Sequence, residues 1–174
     1  MSRFVKMPPG ALDRAGFMAR YGGVYEHSPW IAEAVWDAGA VPDGVAALAG
    51  AMAARVELAG AEAQLALLCA HPDLAGKLAV RGELTVESTS EQAGAGLDHC
   101  SLAEFEAFQR LNTVYKAHFG FPFILAVKGH DRAGILEEFR RRADNDRATE
   151  FREALNQVHR IARLRLQALA EEAP

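Results

Sequence analysis

Apolar residues recur along most of the chain at the three- and four-residue spacing of an amphipathic helix, and the pattern breaks where helix-ending residues gather. Ala11 to Tyr21 is a short amphipathic stretch stopped by Gly22-Gly23. Ser28 is placed as an N-cap with Pro29 at the first helical position, opening a helix through Trp30 to about Ala38. Asp43 is placed to cap an alanine-rich stretch that runs to Ala70, with Gly60 as a candidate break. Thr85 to about Gly94 is helical by pattern and is ended by Gly94 and Gly96. Ser101 and Glu104 form a capping box ahead of Phe105, Phe108, Leu111, Val114 and Tyr115, a helix ending near His118. A further helix opens near Asp131, and the last runs from about Asp146 to Ala170.

One segment departs from this periodicity. Phe121-Pro122-Phe123-Ile124-Leu125-Ala126-Val127 is an unbroken apolar run, which reads as buried extended chain over about residues 121–128. No alternating run bounded by hairpin dipeptides occurs elsewhere. The expected fold class is all-α, a single compact multi-helix domain over 1–174 with one short extended apolar segment. No repeat, low-complexity block or long linker divides the chain, and 174 residues suffice to bury a core.

Half of the residues are apolar, 24% are charged and the net charge is −4, an ordinary globular balance. A mildly acidic chain without a basic run argues against nucleic acid or an anionic membrane as partner. No window approaches the ~18 uncharged apolar residues of a membrane span. Met1 to Pro9 carries Arg3 and Lys6 with no apolar stretch after them and does not read as a signal peptide. The closing Glu172-Ala173-Pro174 is not a peroxisomal address. Cys69 and Cys100 are too few for a disulfide framework and read as reduced thiols in a cytoplasm.

The candidate chemistry lies in polar residues at positions that the pattern assigns to the core. In the last helix Phe151, Leu155, Val158, Ala162, Arg165 and Leu169 form one stripe. Arg165 lies within roughly 40° of the stripe's centre, whereas Arg163 points away. A buried arginine there must meet an anion; the alternative is an edge position whose stem packs while its head reaches water. Ser88, Glu91 and Gln92 share a helix face, offering a hydroxyl, a carboxylate and an amide suited to a polar heterocycle, or else forming a solvated surface. Pro72 ends the preceding helix and leaves His71 on a rigid turn, as a structural histidine or as a general acid or base.

Metal chemistry is the rival reading. His130-Asp131, with His71 or His99 upstream and Asp144 downstream, offers the ligand types of a helical phosphohydrolase. No two histidines fall four residues apart and there is no HExxH or CxxC spacing, so the residues do not commit to a metal.

Several blocks taken in order resemble the OHCU (2-oxo-4-hydroxy-4-carboxy-5-ureidoimidazoline) decarboxylases of urate breakdown. They are Glu26-His27-Ser28-Pro29-Trp30, His71-Pro72-Asp73-Leu74-Ala75-Gly76, Ser88 through Glu91-Gln92 to Leu97, Leu111-Asn112 with Tyr115, Phe119 through Phe123, Val127-Lys128-Gly129 and Arg165-Leu166. The resemblance implies an all-α, typically dimeric enzyme without metal or organic cofactor that converts OHCU to (S)-allantoin and carbon dioxide. It implies that His71 and Glu91 are the catalytic pair. Ser88, Gln92 and Arg165 would bind substrate, with Pro72 and the Phe123-Ile124 backbone lining the same pocket. A helical module that kept the fold and lost the activity is the second alternative, and the intact His71, Ser88, Glu91, Gln92 and Arg165 speak against it.

Overall fold

A computed structural model of the chain describes residues 7–171. The expectations placed on Arg3, Lys6 and Glu172-Ala173-Pro174 lie outside the described residues. Among the described residues the chain is all-α, as the pattern implies, with nine α-helices, two 3-10 turns and no strand. It divides into two compact units, one running up to Ala70 and resuming at Val158, the other formed by His71–Gln157.

The first unit contains α1 (Arg14–Tyr21), α2 (Trp30–Asp37), α3 (Val45–Leu58) and α4 (Gly60–Cys69), each packed on the next in chain order. Val45, Leu48, Met52 and Val56 of α3 are all buried, the apolar stripe of a core-facing helix. Gly60, at φ 84, turns α3 into α4, so the candidate break is real. Two expected caps are used differently. The Ser28 hydroxyl donates to the Glu26 carbonyl instead of capping α2. Asp43 accepts from the Gly10 amide at 3.1 Å, and the N-cap of α3 is Gly44, with no side-chain cap. In both cases a partner outside the helix outcompeted the local bond.

The second unit contains α5 (Lys77–Arg81), α6 (Val86–Gly94), α7 (Leu102–Phe119) and α8 (Arg132–Ala143). The last helix, α9 (Arg147–Glu171), contributes residues to both units. Thr85 caps α6 through Ser88 N, and the full Ser101–Glu104 capping box opens α7. Asp131 caps α8 through Gly134 N, and Asp146 accepts from the Thr149 amide in the first turn of α9. Ser101→Ala is expected to destabilise the protein by about 1 kcal/mol, read as a lower urea midpoint at unchanged slope.

Residues 121–127 are all buried and belong to no helix or strand. Such a run has no ladder to satisfy its polar backbone, so side chains must do it. Gln157 accepts from the Ala126 amide at 3.0 Å, and Arg142 donates to the Ile124 carbonyl at 2.7 Å. Tyr115 packs against Phe119, Phe121, Phe123 and Phe139 at centroid distances of 4.5–6.0 Å. An aromatic cluster thus packs around this segment.

Candidate active site

His71 follows the end of α4 and is 9% exposed. Pro72 makes the continuation of the helix unfavourable, as its steric demand requires. The loop it opens, Asp73-Leu74-Ala75-Gly76, is held by side chains on two helices. Gln92 of α6 accepts from the Ala75 amide at 3.0 Å and donates to the Asp73 carbonyl at 3.3 Å. From α7, Gln109 donates to the Ala75 carbonyl at 2.8 Å and Asn112 to the Leu74 carbonyl at 3.0 Å. Lys116 completes the set with an ion pair to Asp73 at 2.6 Å. Ala75 sits at φ 47, an unusual conformation for a residue with a side chain, and both its backbone groups are fixed by glutamines. Gly76 is required by close approach, since a Cβ there would stand 2.6 Å from that of Asp73.

The helix face proposed from spacing is the face that points inward. Ser88 and Gln92 are 4% and 5% exposed and Glu91 is half-buried, so the solvated-surface alternative does not hold. Gln92 joins this face to the loop that follows His71. Tyr115, on the same helix as Asn112 and Lys116, packs on Phe123, so α7 supports both the loop and the extended segment. Phe123 and Ile124 are buried, and Pro72 is half-buried. Among the described residues, no protein group accepts from the amides of Ile124, Leu125 or Val127.

Arg165 lies in the first unit and is 7% exposed, which excludes a head that reaches water. Its anion is Glu26, itself 2% exposed, which accepts from Nη1 at 2.8 Å. Arg163, by contrast, is exposed. The neighbouring Tyr25 hydroxyl hydrogen-bonds His159 Nδ1 at 2.8 Å, and His159 Nε2 reaches Glu57 at 3.0 Å. Burial, and secondarily the charge of Glu57, push the Tyr25 hydroxyl well above the ordinary phenol range.

Two residues of the metal alternative are otherwise engaged. Asp131 caps α8, and His99 pairs with Asp98 at 2.7 Å on the surface. Among the described residues no three His, Cys, Asp or Glu side chains gather as a metal-holding group. Neither Cys69 nor Cys100 forms a disulfide. Burial, then the charge of Glu104, raises the Cys100 thiol, the reverse of what a nucleophile needs.

The profile of the OHCU decarboxylase family matches residues 10–167, spanning both compact units. The chain belongs to the OHCU decarboxylase family. It is an enzyme of the carboxy-lyase class. A 2-oxo-4-hydroxy-4-carboxy-5-ureidoimidazoline decarboxylase of Haloferax volcanii is 46% identical over 155 residues, 89% of each chain. Another, of Halalkalicoccus jeotgali, is 43% identical over 169 residues, 97% of this chain and 93% of the relative. A crystal structure of an (S)-allantoin synthase matches with a TM-score of 0.74 and 34% identity over 92% of this chain. This chain spans 52% of that longer one. Among the described residues of this OHCU decarboxylase family member, no helix is long and apolar enough to cross a membrane.

Glu26, Gln109, Asn112 and the pair Arg142–Glu150 are buried or contact-making polar residues that sequence reasoning missed. Glu26 stood inside a family-like block, and Asn112 beside Leu111 in another, so the signal was present without a role attached. Because Gln92 holds the loop through both ends of its amide, Gln92→Leu is expected to lower stability as well as activity. The unmet Ala75 amide would cost roughly 1–3 kcal/mol, seen as an earlier thermal transition. An unchanged transition would mean that the amide serves substrate alone.

Proposed function

We propose that this chain decarboxylates OHCU to (S)-allantoin and carbon dioxide without metal or organic cofactor, in the cytoplasm and as a homodimer, with residues 1–174 acting as one functional domain. The observation that carries the reading is the joining, through Gln92, of the His71 loop to the buried Ser88–Glu91–Gln92 face. Family membership supplies the substrate.

The reaction breaks the bond between the carboxyl group and the ring carbon that also bears the hydroxyl. The electron pair passes into the ring imine, whose nitrogen takes a proton from solvent. The adjacent carbon, bearing the ureido group, then receives a proton on one face while the hydroxyl loses its own to become a carbonyl. Because the ring supplies its own electron sink, the protein has to orient it, stabilise charge and move one proton.

In this reading His71 accepts the hydroxyl proton and returns it to carbon as general acid. Its turn holds it at the site's edge with little exposure, and the pinned loop fixes its direction. Glu91, half-buried on the same face as Ser88 and Gln92, orients His71 or shares its proton. Placed near the substrate carboxylate, it also disfavours that charge in the ground state. Ser88 and the remaining amide hydrogen of Gln92 read the ureido group and ring amides, beside Pro72 and the backbone of Phe123 and Ile124. Arg165, its guanidinium oriented by Glu26, meets the carboxylate or ring carbonyl.

The test is to generate OHCU from urate in situ and follow allantoin formation with and without the purified protein. We expect an enzyme-dependent rate far above spontaneous decay and unchanged by EDTA. Abolition by EDTA would favour the metal reading, and no acceleration would favour the inactive module.

A further inference from the structure

We infer that Arg142 is a positioning residue for substrate binding: by holding the Ile124 carbonyl it sets the path of the extended segment at Phe123–Val127. The inference rests on the reading that the Phe123-Ile124 backbone lines the site, and it adds a residue to which that reading gives no role.

Arg142 is fully buried, an expensive place for a guanidinium. Each of its three nitrogens has a partner. Nε and Nη2 donate to one oxygen of the equally buried Glu150 at 2.9 and 2.5 Å, and Nη1 donates to the Ile124 carbonyl at 2.7 Å. The guanidinium carbon lies 4.5 Å from the centre of the Phe123 ring, which stacks on Phe139 at 3.9 Å with 10° between planes. Glu150 also accepts from the Tyr115 hydroxyl and, at 2.9 Å, from Asn145. Burial and the adjacent Glu150 carboxylate push the Tyr115 hydroxyl up, so it stays a neutral donor.

Buried ion pairs are weak sources of stability, because apolar groups of the same volume often replace them without loss. What apolar groups cannot do is grip a carbonyl. The 121–127 run has no strand neighbour, and among the described residues Arg142 and Gln157 are the side chains that hydrogen-bond its backbone. Arg142 therefore fixes the Ile124–Leu125 peptide plane, and that plane sets where the Leu125 amide points. An ion pair kept for stability alone would not need the third contact.

The experiment compares wild type with an apolar replacement of the cluster, Arg142→Met/Glu150→Leu/Tyr115→Phe, and with Arg142→Lys, which keeps the charge but not the fork. Both are first checked for cooperative thermal unfolding. We expect KM to rise roughly 10- to 100-fold, as for a small misplacement of a binding element, while kcat changes less than about threefold. Affinity for (S)-allantoin should fall in parallel. Hydrogen exchange on wild type with (S)-allantoin serves as the control, and protection of the 124–127 amides is expected. If those amides are not protected, the pocket-lining reading falls and this inference with it. If they are protected but a folded variant keeps wild-type KM and product affinity, only the role of Arg142 is overturned. Should the apolar triple variant fail to fold, Arg142→Lys decides the matter by the same readouts.

Discussion

His71→Ala is expected to lower kcat/KM by about 10²- to 10⁴-fold, the range of general acid–base catalysis, with the fold intact. The separation of the two effects follows from the structure. The loop after His71 is held by its backbone and by Asp73, through Gln92, Gln109, Asn112 and Lys116, and none of those bonds uses the imidazole. Removing the ring therefore leaves the loop's scaffold in place. Steady-state kinetics and a melting curve on the same preparation check both halves. A folded His71→Ala enzyme with near wild-type turnover would remove His71 from the chemistry.

The largest effect on stability is expected at Glu26. Glu26→Ala deletes the carboxylate that Arg165 meets at 2.8 Å with both groups buried. Breaking one side of such a pair destabilises by about 3–5 kcal/mol. For a chain of this size that is roughly 6–20 °C in Tm, at about 2–4 °C per kcal/mol. Activity should fall as well, since the guanidinium loses the partner that orients it. Arg165→Lys makes the complementary case. It keeps a cation against Glu26 but loses the planar fork, so activity should collapse with a smaller change in Tm. A Glu26→Ala melting point within about 2 °C of wild type would show that the pair is not a stabilising unit.

The helical architecture was legible because most of its signals are local. The capping box at Ser101, the helix starts at Thr85 and Asp131, the break at Gly60 and the apolar stripe of α9 each depend on residues within one or two turns. The error at Asp43 arose where a partner 33 residues away took the side chain, which no local pattern records, and that at Ser28 where the carbonyl two residues upstream competed with the cap. The short α5 was missed because five residues carry too little periodicity. The site divides in the same way. Arg165, Ser88 and Gln92 stood out because they are polar at apolar positions. Glu26 is 139 residues away from Arg165 along the chain, and only folding pairs them. Arg142 and Glu150 look like two more charges in a basic and acidic stretch until the extended segment is seen to need a donor.

The central claim is that this chain delivers one proton to one face of the substrate through His71. The circular dichroism of the allantoin formed from in situ OHCU tests it most directly, because unassisted decay gives a racemate with no lasting signal. Wild-type protein should give a fast, persistent signal of the (S)-enantiomer, and His71→Ala should give racemic product at close to the spontaneous rate. Racemic allantoin from the wild type, or (S)-allantoin formed at full rate by folded His71→Ala, would contradict the account.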